Sequence, residues 1–190
     1  MKSTLLIDIL RLRDHEKVDL FRFKELMEEL IEDGFQRDPI IVDKESGVVL
    51  DGHHRRNILK TLGYSKIASY QVRYMKDRTI RVKTWYPIVV DSKRRLMQTI
   101  EDHGIELMPN TKDNSKNLLV LKDGTFQLAT GRREVMNALV EKMKFQYVPT
   151  KKIALSLVED GRAAGAFIFE PVTKEDVLKV ALSNDPFPPK

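Results

Sequence analysis

The sequence predicts an α+β fold in two lobes. Short apolar runs typical of strands alternate with longer segments in which apolar residues recur at the helical period. Two pairs of apolar runs, 39–43 with 47–50 and 118–121 with 125–129, flank short polar turns and predict β-hairpins. The stretch at 87–93 is a soft boundary, so we expect one lobe over residues 1–90 and a smaller α/β lobe over residues 91–190.

The first lobe is expected to combine strands with two amphipathic helices. Asp19 is a helix cap and Gly34 a helix stop, and a second helix over 53–62 ends before Gly63. The residues predicted to form the inner faces of these helices are Leu20, Phe23, Met27, Leu30 and Ile31, then Ile58, Leu59 and Leu62. The other predicted segments are strands at 5–10 and 66–74, a polar connection at 11–18, and an extended stretch at 80–90 broken by Pro87.

The second lobe is expected to contain four helices around short strands. The predicted helices span 92–103, 132–143, 151–160 and 173–182, and a further strand spans 166–169. The last helix begins with Thr173 followed by acidic residues, which is typical of a capped N-terminus. The tail at 184–190 has no predicted regular structure.

Composition excludes several kinds of site. The 190 residues include no cysteine, which excludes disulfides, thiolate metal sites and a cysteine nucleophile, and suits a reducing compartment. No apolar run approaches the roughly 20 residues of a membrane span, and the N-terminus does not resemble a secretory signal. The net charge of +5 is modest and the basic residues are spread among acids. We therefore expect a cytoplasmic protein with no membrane partner, and nucleic acid is not an expected partner.

The most informative segment is the strand–turn–helix at 48–56, Val-Val-Leu-Asp-Gly-His-His-Arg-Arg. Gly52 permits close backbone approach, and the first N–H groups of the following helix have no intrahelical acceptor. With the helix dipole they form an anion site. His53, His54, Arg55 and Arg56 add donors, and an arginine fork can grip a phosphate through two bonds. Asp51 could orient a histidine or help to hold a metal that bridges two phosphates.

Two other interpretations of this segment are less well supported. Cations at a helix N-terminus oppose the dipole, so an ordinary surface helix would not favour two histidines and two arginines there. A zinc site is disfavoured because adjacent helix residues do not face each other and no second cluster completes a ligand set, His15 and His103 being isolated in the sequence. The segment therefore predicts a phosphate-binding turn.

The turn and the helix after it resemble the signature of the ParB/sulfiredoxin superfamily. Within that superfamily three further segments resemble the free serine kinases, which phosphorylate L-serine with ADP or ATP. These are Asp14-His-Glu16, Lys83-Thr-Trp-Tyr-Pro87, and Pro171-Val-Thr-Lys-Glu-Asp176 leading to Pro-Phe-Pro-Pro-Lys190. Taken in order they span nearly the whole chain.

The resemblance implies a role for each matched residue. Glu16 matches the family's catalytic carboxylate, and Trp85 matches an aromatic of the substrate pocket. Asp51, His53, His54 and Arg55 match the phosphate-binding motif, with Mg²⁺ accompanying ADP or ATP. Asp51 is expected to be catalytic as well, together with Glu16. The implied product is O-phosphoserine for cysteine biosynthesis. Family members continue past Pro-Pro-Lys into a Thr-Thr-Arg-His segment that contacts serine, so we expect these 190 residues to bind nucleotide but to phosphorylate serine poorly.

A ParB-type DNA-partition protein or CTP switch is the alternative from a different functional class. It would require a helix-turn-helix domain after the nucleotide lobe, whereas the second half alternates strands and helices. A ParB-like nuclease is less well supported because no paired carboxylates lie at metal-binding spacing. Sulfiredoxin chemistry is excluded because it needs a cysteine where this chain has His53.

Overall fold

Two compact units make up the chain in a computed structural model that describes residues 4–110 and 116–189. The first unit comprises the described residues up to Val82 together with those from Thr173 onward, and the second spans Lys83–Val172. The predicted α+β class is confirmed. The predicted division at 90/91 differs from these units because the strand at 86–89 pairs within the second unit and the last helix returns to the first.

The helices and strands follow one another closely along the chain. In order they are β1 (Leu5–Asp8), a 3₁₀ turn (Ile9–Arg11), β2 (Arg13–Asp14), α1 (Leu20–Asp33), β3 (Ile40–Asp43), β4 (Val48–Asp51), α2 (His53–Thr61), β5 (Lys66–Val72), β6 (Tyr86–Val89), α3 (Lys93–Asp102), β7 (Leu107–Pro109), β8 (Leu118–Leu121), β9 (Gly124–Leu128), α4 (Arg132–Leu139), β10 (Phe145–Val148), α5 (Lys151–Glu159), β11 (Gly165–Ile168) and α6 (Lys174–Leu182).

The first unit is built on a mixed five-stranded sheet in the order β1-β5-β3-β4-β2. The predicted hairpin is confirmed as the antiparallel pair β3–β4, whereas β3–β5 and β2–β4 are parallel. Apolar side chains of the sheet, the 3₁₀ turn and α2 form one buried core: Ile9, Leu12, Ile40, Val42, Val49, Leu59 and Ile67. Burial of these side chains fixes α2, and hence the turn before it, against the sheet.

Helix α1 has the predicted bounds but is less buried than expected. Asp19 accepts a hydrogen bond from the Arg22 N–H, and Gly34 ends the helix with φ +73°. None of its described side chains is fully buried, and two of the residues predicted to face inward, Leu20 and Ile31, are exposed. The helix packs against α2 and borders two surface pockets, so its apolar face is only partly covered.

The second unit is built on a six-stranded antiparallel sheet in the order β10-β6-β11-β8-β9-β7. Residues of α3 and α4 pack with one set of sheet side chains, and residues of α5 pack with another. Strand β11 is buried throughout, and its alternating residues divide between the two cores, with Phe167 in the first and Ala166 and Ile168 in the second.

Several predicted details of the second half and of α2 were wrong. Pro87 does not break the extended stretch but lies inside β6. It pairs with β10 on one side, whereas β11 on the other side pairs only with Ile88 and Val89. Helix α4 ends at Leu139 rather than at 143, and Leu62 is exposed because α2 ends before it. Strands β2, β7 and β10 were not predicted; β2 and β7 have only two and three residues, too few to show a strand period.

Among the described residues, no helix combines the length and the apolar character needed to cross a lipid bilayer.

Candidate phosphate-binding and catalytic site

The turn between β4 and α2 has the predicted geometry. Strand β4 ends at Asp51, and Gly52 adopts φ +91° as the residue before the helix. A Cβ at Gly52 would lie 2.5 Å from the Ile40 Cγ2 atom, so a larger residue would collide with the core. The helix start has no side-chain cap hydrogen bond, as predicted, which leaves its first N–H groups oriented toward an external acceptor.

The turn lines a pocket of about 520 Å³ in the first unit. Leu50, Asp51, Gly52, His53, His54 and Arg55 form one side of it. Glu16 also lines this pocket, although it lies on a loop more than 30 residues earlier in the sequence. The remaining wall comes from α1 and the segment after it: Leu26, Glu29, Leu30, Asp33, Phe35, Arg37 and Asp38. The structure thus places the predicted catalytic carboxylate beside the predicted phosphate-binding turn.

Arg55 is anchored at the mouth of the turn. Its Nη1 donates to the Asp38 carbonyl at 2.6 Å, and its Nη2 donates to Asp51 Oδ2 at 2.9 Å. The side chain of Arg55 is 24% exposed, so it is partly enclosed. Because these two acceptors orient the guanidinium, its positive charge is already in position when a phosphate binds.

His15, which is isolated in the sequence, contacts the turn in the structure. Its Nδ1 atom lies 2.7 Å from the Val49 carbonyl and 3.1 Å from the Nε2 atom of His53, and the two rings meet edge to face. A carbonyl only accepts, so His15 Nδ1 carries a hydrogen. The contact fixes the ring of the nearly buried His53 beneath the turn.

His54 connects the starts of the two helices of the first unit. The backbone N–H of Asp19, the cap residue of α1, donates to His54 Nε2 at 3.1 Å. Nε2 is therefore the acceptor nitrogen, and the hydrogen of the neutral ring lies on Nδ1. His54 thereby joins the loop that follows Glu16 to the phosphate-binding turn.

Arg56 does not line the pocket, although the sequence predicts it in the phosphate site. Its guanidinium is buried and donates to Asp14 Oδ2 at 2.9 Å and to the Leu12 carbonyl at 2.9 Å. Asn57 also donates to the same Asp14 oxygen at 3.0 Å. Successive helix residues point about 100° apart, so Arg55 faces the pocket while Arg56 faces inward and ties α2 to the segment that leads to Glu16.

The described lining of the pocket carries more carboxylates than guanidinium groups. Its acidic residues are Glu16, Glu29, Asp33, Asp38 and Asp51, against Arg37 and Arg55. The hydrogen bond and charge of Asp33 raise the pKa of Arg37, so this guanidinium remains charged. The anion site is thus confined to the turn itself, and the rest of the pocket suits a cation or a ligand that carries one.

The described residues contain no group of three or more histidine or acidic side chains arranged to hold a metal ion. Asp51, the predicted metal ligand, has an exposed carboxylate that is bonded to Arg55. One carboxylate at the edge of a phosphate site fits Mg²⁺ that arrives with a nucleotide, because Mg²⁺ keeps most of its waters and binds through one or two carboxylates plus phosphates.

Trp85 lies in the second unit, half-buried and directly before β6. Its assignment to the substrate pocket stays a prediction.

Sequence reasoning missed several residues that shape the pocket. Phe35 and Leu26 form an apolar wall beside the turn, and His15 supports His53. Phe35 directly follows the helix stop Gly34, and an aromatic at that position is the signal that the sequence offered for it.

Comparison with known proteins supports the predicted resemblance. An ATP-dependent L-serine kinase from Staphylothermus marinus is 29% identical over 98% of this chain and 82% of its own length. An ADP-dependent L-serine kinase from Thermococcus kodakarensis is 22% identical over 97% of this chain and 83% of its own length. A solved structure of a free serine kinase in complex with AMP superposes with a TM-score of 0.87 at 22% identity, covering 98% of this chain and 85% of the other. No protein-family model matches. The similarity to free serine kinases is confirmed, and the fold is the one that these enzymes have.

Proposed function

We propose that this chain is a small-molecule kinase that transfers a phosphoryl group from ADP or ATP to the hydroxyl of free L-serine. The observation that carries the proposal is the shared pocket, in which Glu16 and the turn at 51–55 lie together. A phosphate donor and a carboxylate base are the two components that such a transfer needs side by side. The relatives named as L-serine kinases support the same reaction.

Glu16 is the proposed catalytic carboxylate. Phosphoryl transfer passes through a loose transition state, so catalysis consists mostly of positioning and of neutralising charge on the transferred group. A carboxylate within hydrogen-bond reach of the serine hydroxyl orients its oxygen toward phosphorus and accepts its proton as the new P–O bond forms. The nucleoside diphosphate or monophosphate leaves with the electrons of the broken P–O bond.

The nucleotide phosphates are proposed to bind at the start of α2. Gly52 lets them approach the backbone, the first N–H groups of the helix donate to them, and the fixed guanidinium of Arg55 adds a charged donor. His53 and His54 complete this side of the site, and Leu26 and Phe35 supply an apolar wall for the nucleoside.

We propose that Mg²⁺ enters with the nucleotide and that Asp51 holds it at the edge of the turn. The ion would neutralise part of the phosphate charge. The described lining of the pocket has five carboxylate side chains and only two arginines, so it cannot neutralise that charge by itself. Nucleotide affinity should accordingly rise when Mg²⁺ is added.

The proposed product is O-phosphoserine, and we place the reaction in cysteine biosynthesis in the cytoplasm. The ParB-type alternative receives no support from the second unit. In its described part each helix is followed by a strand, so no two consecutive helices form a helix-turn-helix.

Replacing Glu16 by Gln tests the proposal. The amide keeps the shape and a hydrogen-bonding group but removes the base, so serine phosphorylation should fall by about 10²–10⁴-fold. Nucleotide affinity should barely change. The measurement is phosphoserine formation together with calorimetric titration of ADP and ATP in the presence of Mg²⁺.

The matched control is Glu28→Gln, which makes the same chemical change on an exposed residue of α1 that does not line the pocket. Asp14→Asn is unsuitable as a control because Asp14 holds Arg56. Full activity in Glu16→Gln, or absence of phosphoserine formation by the wild-type chain with both nucleotides, would contradict the proposed function.

A further inference from the structure

The C-terminal segment lies beside the loop that carries Glu16. Phe187 forms an isolated parallel β-bridge with Glu16. The Phe187 N–H donates to the His15 carbonyl at 2.8 Å, and the Lys17 N–H donates to the Phe187 carbonyl at 2.8 Å. One hydrogen bond therefore lies on each side of Glu16, and both involve the backbone of Phe187.

The opposite edge of the same loop is held by β4. Strand β2, which precedes His15, pairs in parallel with β4. The Arg13 N–H donates to the Gly47 carbonyl at 3.1 Å, and the His15 ring bonds to the Val49 carbonyl. The chain is thus held by β4 over the three residues before Glu16 and by Phe187 at Glu16 itself, which restricts how far the Glu16 backbone can shift toward or away from the pocket.

The composition of the tail suits this arrangement. Residues 186–189 are Pro-Phe-Pro-Pro, and proline has no N–H, so Phe187 carries the one amide donor of this run. That donor is the one that reaches His15. The prolines also restrict the chain to extended conformations before docking, which lowers the entropy lost when the segment binds to the loop.

We propose that Phe187 is a positioning residue for Glu16, acting through its backbone bridge to the catalytic loop. This inference rests on the proposed function. A general base must lie within about 2.6–3.2 Å of the proton that it accepts, and a displacement of about 1 Å can lower a rate about 10²-fold. The tail bonds to the loop, and none of its described residues lines the pocket beside the nucleotide turn, so we expect its effect to fall on the rate of transfer.

Phe187→Pro compared with Phe187→Leu tests the inference in the full chain. Proline removes the donated N–H, whereas leucine keeps the N–H and most of the apolar surface. We expect Phe187→Pro to lower kcat for serine phosphorylation about 10- to 100-fold with nucleotide affinity within about twofold of wild type. Phe187→Leu should keep kcat within about threefold.

Combining Phe187→Pro with Glu16→Gln separates positioning from a general loss of structure. If the bridge acts through the Glu16 carboxylate, the double variant should be no slower than Glu16→Gln alone, because neighbouring residues that act as a unit are not additive. A further tenfold loss in the double variant, or wild-type kcat in Phe187→Pro, would overturn the inference.

Lys17→Pro removes the other hydrogen bond of the bridge, in which the Lys17 N–H donates to the Phe187 carbonyl. The Lys17 side chain is exposed, and Lys17→Ala is the control for its loss. It should reproduce the effect of Phe187→Pro, including the unchanged nucleotide affinity, and covers the case in which Phe187→Pro does not fold. Wild-type kcat in a folded Lys17→Pro variant overturns the inference. Failure of the wild-type chain to phosphorylate serine would instead overturn the proposed function itself.

Discussion

Arg55 and Arg56 are adjacent in sequence, but the structure gives them different environments. The guanidinium of Arg55 lines the pocket, anchored by Asp51 and the Asp38 carbonyl. The guanidinium of Arg56 is buried against Asp14 and the Leu12 carbonyl. The two residues therefore lead to opposite expectations for binding and for stability.

Arg55→Ala should weaken the binding of ADP and ATP by about 1.5–3 kcal/mol, the usual contribution of a hydrogen bond to a charged group. Calorimetric titration measures this loss, and thermal unfolding should show that the fold survives. Lys60→Ala is the matched control because it removes one positive charge from an exposed position on the same helix. Equal affinities for Arg55→Ala and Lys60→Ala would remove Arg55 from the phosphate site.

Arg56→Met should instead destabilise the protein by about 3–5 kcal/mol, because it leaves the Asp14 carboxylate buried without its charged partner. The side chains of Arg56 and Asp14 are 9% and 17% exposed, so water screens this pair only weakly. Urea unfolding measures the loss, and the Arg56→Met/Asp14→Asn double variant should lose less than the sum of the two single variants. Weaker nucleotide binding with unchanged unfolding would show that Arg56 is a phosphate ligand after all.

The start of helix α2 depends on two features of Gly52. Its φ of +91° is unfavourable for a residue with a side chain, and its missing Cβ leaves space that Ile40 occupies. Gly63, at the other end of the same helix, has a similar φ of +82°, but a Cβ added there would meet no atom within 4 Å.

This pair of glycines allows backbone strain to be separated from crowding. Gly63→Ala should cost about 1–2 kcal/mol of folding free energy, the penalty of the left-handed conformation alone. Gly52→Ala should cost about 1–3 kcal/mol more, because the methyl group must displace part of the core, and it should also weaken nucleotide binding. Urea unfolding of both variants measures the difference, and equal losses would show that the contact with Ile40 relaxes without cost.

Stability of the whole protein toward acid should depend on Asp43. Burial raises the pKa of this carboxylate, but hydrogen bonds from Ser46 and from the backbone N–H groups of Tyr74, Ser46 and Glu45 outweigh burial and hold the pKa below its ordinary value of 3.8. A carboxylate with a lowered pKa in the folded state stabilises the fold when the pH is above its pKa in the unfolded state. This stabilisation is lost as the pH falls through the pKa of the folded state.

Asp43→Asn should therefore destabilise the protein at neutral pH by about 1.5–3 kcal/mol, since an amide cannot accept all of these bonds. The gap in unfolding free energy between wild type and variant should be constant above about pH 5 and should close below about pH 4. Urea unfolding followed by circular dichroism at a series of pH values measures the gap. A gap that does not depend on pH would show that the Asp43 charge contributes nothing to acid stability.

Much of the local structure followed from the sequence because its causes are local. Asp19, Gly34 and Thr173 act as helix signals through hydrogen bonds and dihedral angles within a few residues of themselves, and each does so in the structure. The β3–β4 hairpin and the β4–α2 turn have the same property. Partial burial of α1 did not follow, because the period of a helix shows which residues share a face but not how far that face is covered.

The sequence by itself therefore determined the strand–turn–helix with its glycine, its cations and its uncapped helix start, together with the resemblance that these residues carry. Only the tertiary structure decided which of Arg55 and Arg56 meets the pocket, that His15 supports His53, and that Phe187 lies against Glu16. The contacts of Arg56 with Asp14, of His15 with His53 and of Phe187 with Glu16 join residues 38 or more positions apart. Their partners are selected by how the sheet, α2 and the C-terminal segment pack together, and no periodicity or local propensity carries that information.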